Sequence, residues 1–144
     1  MARLHFWMMC NYSVSESVRE SLAEGRDVVV ESYFYRTLAT HAAMGVTQLP
    51  AIDWGRAAKP DLIVQLTVDE PERQRRLAKR ELATGRSRWE RMEESNVDLT
   101  RRTYASFGLM PLHTTGLDPD EVVARLAELA KAIHVNGGMP CSIK

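Results

Sequence analysis

Between Pro60 and Arg91 the chain reads PDLIVQLTVDEPERQRRLAKRELATGRSRWER, and this stretch restricts the fold more than any other. Leu62 to Val68 is a short apolar run that fits a strand. Asp69-Glu70-Pro71 then turns the chain, and Pro71 suits the first turn of a helix because its missing N–H would have no partner there. That helix is expected to run to about Thr84, where Gly85 breaks it. A strand feeding a helix directly belongs to layered α/β architectures. Eight of the nineteen basic residues fall between Arg73 and Arg91, in a chain whose formal net charge is zero. The stretch is therefore a candidate anion site inside a neutral protein.

The rest of the chain extends the pattern. From Arg3 to Glu24, Leu4, Trp7, Met8, Val14, Val18 and Leu22 recur at three- and four-residue spacings, which predicts a helix ending at Gly25. Asp27 to Glu31 is a β-branched run that reads as a strand buried on both faces. Tyr33 to Met44 reads as a second helix ending at Gly45, and residues 46 to 60 as a loop with a helical turn around Ile52-Asp53-Trp54. Asn96 to Phe107 is expected to be helical, and Pro111 to Thr115 a short third strand. Asp118-Pro119-Asp120-Glu121 starts the last helix, with an Asp cap, Pro at its first position and acids that complement the dipole. Strands alternating with helices imply an α/β fold with a largely parallel sheet, whose ligands sit at the carboxyl ends of the strands. Glu31-Ser32-Tyr33 and Asp69-Glu70 would then share one rim, with the basic segment able to fold over it. No linker or repeat divides the chain, so residues 1–135 read as one domain and 136–144 as a flexible tail.

Composition removes several classes. At 144 residues and 44% hydrophobic the chain can bury a core, which argues against disorder. The balanced charge argues against a general nucleic-acid binder. Cys10 and Cys141 form no C-x-x-C pair, and the scattered His5, His41, His113 and His134 suggest no metal site. No run approaches the roughly 18 apolar residues of a membrane span. LHFWMMC is too short for a signal peptide, so a cytoplasmic protein with reduced thiols is expected.

Two clusters carry chemistry. Arg73, Arg76 and Arg80 share a helix face, and Arg86 and Arg88 follow on a Gly-containing loop. Fixed positive charge on a closing arm stabilises a transferring phosphoryl group; the alternative is a solvated face with Glu72 and Glu81 as partners. At Glu31-Ser32-Tyr33 the carboxylate can hold Mg²⁺, act as a base or orient a guanidinium, or Ser32 can simply cap the next helix. Phe6 and Trp7 can stack a base or pack a core. His41 and His113 read as structural, and Cys10 as a small buried side chain.

The order of these pieces resembles the thymidylate kinase family of P-loop nucleoside monophosphate kinases, in register from Leu4 to about Ile133. LHFWMMCNYSVSESVRESLAEGRDVVVESY is similar to the family's substrate-side helix and the strand after it, and PDLIVQLTVDEPERQRRLAKR to its strand, Asp-Pro-Glu turn and arginine-rich helix leading into the lid. The resemblance implies a three-layer P-loop kinase-like parallel sheet flanked by helices. It implies that Phe6 stacks on the acceptor base and that Glu31 and Tyr33 take the acidic and aromatic positions of the strand-end motif. Thr37 would line the nucleotide pocket, and Arg80, Arg86 and Arg88 would be catalytic lid residues. Cys10 stands where the family has a base-contacting Arg, and Ser32 where it has a phosphate-contacting Arg, a charge that Arg36 could restore. The acceptor therefore stays open among nucleotides, nucleosides and other phosphate acceptors. ATP and Mg²⁺ are the implied cofactors. The family's G-x-x-x-x-G-K-[ST] loop, with its first strand, has no counterpart, because no Gly-Lys pair occurs; the expectation is a kinase-like domain lacking its N-terminal segment. A sheet without that strand exposes an edge, which makes a homodimer one expected state. A catalytically inactive nucleotide-binding or regulatory module and a basic-helix interaction protein are the alternatives.

Overall fold

A computed structural model describes residues 2–85, 91 and 94–135. Arg86, Arg88, Cys141 and the expected tail lie outside the described residues. In chain order the elements are α1 (Ala2–Ala23), α2 (Phe34–Ala43), β1 (Val64–Thr67), α3 (Glu70–Thr84), α4 (Val97–Ser106), β2 (Met110–His113) and α5 (Pro119–Val135). Mixed helix and strand of this kind is compatible with an α/β protein. The chain divides into two compact units, one of residues 1–59 and 88–107, the other of 60–87 and 108–144.

The first unit holds almost all of the core. α2 packs against both α1 and α4, and Leu4, Met8, Tyr33, Phe34, Leu38 and Ala57 form the buried cluster. Phe34 is its centre. Its ring meets Tyr33, Tyr12 and Trp54 edge-on at centroid distances of 4.5, 5.0 and 5.8 Å, the geometry that ring quadrupoles favour.

α1 is helical as its spacing predicts, but the face it buries is narrower than expected. Leu4, Met8 and Ser15 are buried, whereas Trp7, Val14 and Leu22 remain exposed. The strand expected over Asp27 to Glu31 does not form: these residues belong to no helix or strand, and Val29 is 97% exposed. Among the described residues the sheet consists of β1 and β2 alone. β-branched residues favour a pleated surface with neighbours rather than an isolated extended chain, so the valine run has nothing to complete it. Ser32 follows at φ 60, a left-handed conformation that costs a non-glycine residue roughly 1 kcal/mol. Ser32 does not cap α2; its N-cap is Tyr33, without a side-chain bond.

In the second unit β1 and β2 pair in parallel, with Val64 opposite Met110 and Thr67 opposite His113. The expected third strand is therefore β2, begun one residue earlier, and the sheet has two strands among the described residues. Parallel pairs are ordinarily covered on both faces, yet Leu66 and Met110 are exposed here. α3 starts after an extended Asp69, has Pro71 in its first turn and ends at Gly85, whose φ of 72 requires the freedom of glycine. α5 opens with a reciprocal cap: Glu121 N donates to Asp118 Oδ1 and Asp118 N to Glu121 Oε2, each at 2.8 Å. Among the described residues no helix is long and apolar enough to cross a membrane.

Candidate functional site

The carboxyl ends of β1 and β2 form one edge, the place where open α/β sheets gather their ligands. Parallel pairing sets Thr67 beside His113, and the turn into α3 brings Asp69 to them. His113 Nε2 lies 3.5 Å from Asp69 Oδ1, and its Nδ1 lies 3.4 Å from Thr67 Oγ1. Thr115 Oγ1 fixes the turn by accepting from Asp69 N at 2.9 Å.

Behind this edge the arginines of α3 are largely committed. Arg73 binds Glu70 through Nε at 2.9 Å and Nη2 at 2.8 Å. Arg75 grips Glu72 in the same forked way at 2.7 Å. Arg76 reaches Glu72 with Nε and, with Nη2, donates to Thr114 O at 2.8 Å. Thr114 is buried, and its hydroxyl donates to Thr67 O at 3.0 Å. Arg76 is thus a fastener between α3 and the end of β2. Hydrogen bonds from Arg75 and then Arg76 push the Glu72 carboxyl down to about 2, and Glu72 in turn raises Arg75. Arg80 is exposed on the same helix. These pairs leave α3 with far less uncompensated charge than its arginine count suggests.

The expected acceptor residues lie in the other unit. Phe6 is 58% exposed and packs edge-on against Trp7 at 5.4 Å. Tyr33 is buried, and its hydroxyl bonds Ser15 Oγ and donates to Ala58 O at 3.3 Å. Thr37 Oγ1 accepts from Asn11 Nδ2 at 3.1 Å, which ties α2 to α1. Glu31 and Arg36 are exposed on either side of Tyr33. Tyr33 and Thr37 are thus joined to α1, while Phe6, Glu31 and Arg36 stand on the surface.

An open cleft of about 510 Å³ in this unit is lined by none of those five residues; Met9, Tyr12, Glu16, Arg19, Asp53 and Arg56 are among its walls. Asp53 organises one side, accepting from Gly55 N at 3.0 Å and pairing with Arg56 Nε at 3.5 Å. Tyr12 Oη accepts from Asp53 N at 3.0 Å. Nothing in the spacing of these residues announced the cleft, because a loop brings Asp53 and Arg56 to α1 across forty residues.

His113 is the residue whose setting sequence reasoning missed. Asp69 was legible as a strand-end carboxylate, but only the parallel register of β1 and β2 gives His113 its partners. His41 is buried, with Nδ1 2.7 Å from Thr37 O; it is a core residue of α2. Among the described residues no group of three or more His, Cys, Asp or Glu could hold a metal ion. Comparison with family models, with curated proteins and with solved structures yields no match.

Proposed function

We propose that this chain is a thymidylate kinase-like phosphotransferase domain, acting with ATP and Mg²⁺ on a nucleotide-like acceptor. One observation carries the reading. The segment resembling the family's strand, acidic turn and arginine helix forms β1 and α3, and β1 pairs in parallel with a later strand. In this reading Arg80, Arg86 and Arg88 stabilise the transferring phosphoryl group, and Phe6, Glu31, Tyr33, Arg36 and Thr37 receive the acceptor. The donor cradle is assigned to no residue, because the 144 residues contain no Gly-Lys pair. A second reading, a nucleotide-binding module without transfer, is supported by the engagement of Arg73, Arg75 and Arg76 with Glu70 and Glu72.

Calorimetry with ATP and with nucleoside monophosphates, alongside a coupled assay for ADP release, separates the two. Release of ADP that depends on an acceptor and falls on Arg80→Ala supports the transferase. Binding without ADP release supports the module. Absence of nucleotide binding overturns both.

A further inference from the structure

The edge formed by Thr67, Asp69 and His113 has a chemistry that phosphate handling does not use. A hydroxyl, an imidazole and a carboxylate stand in line, with the imidazole between the other two: Thr67 Oγ1 is 3.4 Å from Nδ1 and Asp69 Oδ1 is 3.5 Å from Nε2. The Thr67 contact is at the long limit of a hydrogen bond and the Asp69 contact is an ion-pair approach; catalytic contacts are often this long before substrate tightens them. A carboxylate beside Nε2 favours the tautomer with its proton there, which lets Nδ1 accept from the Thr67 hydroxyl, whose other acceptor is Leu112 O at 3.4 Å. The backbone holds the three in place independently, through the register that sets Thr67 beside His113 and the bond from Asp69 N to Thr115. His113 and Asp69 are both more than half exposed, so a substrate can reach them.

We propose that this edge is a nucleophilic acyl-transfer site, in which Thr67 is the nucleophile, His113 its general base and Asp69 the residue that positions His113. The substrate class follows from charge. Asp69 is anionic, while Arg73 and Arg76 are engaged with Glu70, Glu72 and Thr114. A phosphate dianion would be repelled, whereas a neutral ester is not.

The step balances without a further reagent. Thr67 Oγ1 bonds to the ester carbonyl carbon as its proton passes to His113 Nδ1. The bond from that carbon to the leaving oxygen breaks, and His113 returns the proton to the departing alcohol. Water then attacks the acyl-Thr67 ester, giving its proton through His113 to Thr67 Oγ1 and releasing the carboxylic acid.

The test uses the whole chain and p-nitrophenyl acetate. The expected result is a burst of nitrophenolate and an acetyl group mapped to Thr67 by peptide mass spectrometry. Thr67→Val abolishes both, and His113→Ala slows acylation about 100-fold with the circular dichroism spectrum unchanged. Asp69→Asn slows it roughly tenfold and Asp69→Glu recovers part of the loss, a rescue that a merely structural role would not give. No burst from the unaltered protein, acetylation elsewhere than Thr67, or a burst retained by Thr67→Val overturns the proposal.

Discussion

At the scale of single residues, the arginines of α3 are first of all structural. Arg76 spans from Glu72 to the carbonyl of Thr114, so Arg76→Ala is expected to destabilise the second unit by about 1 kcal/mol, read from urea unfolding. Glu72 carries a pH signature. Its carboxyl is ordinarily near 4.5 and is held at about 2 in the folded chain. Stability from this pairing is therefore complete above the unfolded value and drains away as pH falls through the folded one. Glu72→Gln should lower the thermal midpoint at pH 7, and the difference from the unaltered protein should shrink steeply as pH falls from 4.5 toward 2; a difference independent of pH would refute the assignment. Glu72 was legible as an arginine partner from its spacing. Thr114 was not, because the contact joins residues 38 apart in sequence. Ser32 offers a test of strain: with φ at 60, Ser32→Gly should stabilise the protein by up to about 1 kcal/mol, measured by the same unfolding curves.

At the scale of elements, helices are legible in the sequence and strands less so, for one reason. A helix closes its hydrogen bonds within itself, so caps and spacing suffice. The Asp118–Glu121 cap and the Gly85 stop of α3 both stand where local chemistry sets them. A strand needs a neighbour, which spacing does not supply. Val28-Val29-Val30 has every local mark of a buried strand and no partner among the described residues. Replacing Val29 by Thr should accordingly change stability by less than about 0.5 kcal/mol, as at other open surface positions. A loss of 2 kcal/mol or more in chemical denaturation would mean that the segment is covered in solution. The same limit explains the site: Asp69 is legible at a strand end, but its meeting and that of Thr67 with His113 depend on which strands pair and in what register.

At the scale of the whole molecule, the core lies in one unit and the arginines of α3 in the other. Phe34 touches Tyr12, Tyr33 and Trp54, so Phe34→Ala should cost about 3–5 kcal/mol. Amide exchange should report that loss first in α1 and α2. Neither unit is a continuous length of chain. Residues 88–107 belong with 1–59, and they are inserted between the two halves of the other unit. Pairing Val64 with Met110 therefore closes a long loop that contains α4, a step whose entropy cost must be met before the parallel ladder returns any energy. One consequence concerns synthesis on the ribosome. α1 and α2 emerge early, but α4 reaches α2 only after β1 and α3 have been made, and β1 in turn waits for β2. During that interval β1 is an unpaired strand and α2 lacks one of its two neighbours, so the nascent chain depends on speed of completion, or on a chaperone, more than the finished fold does.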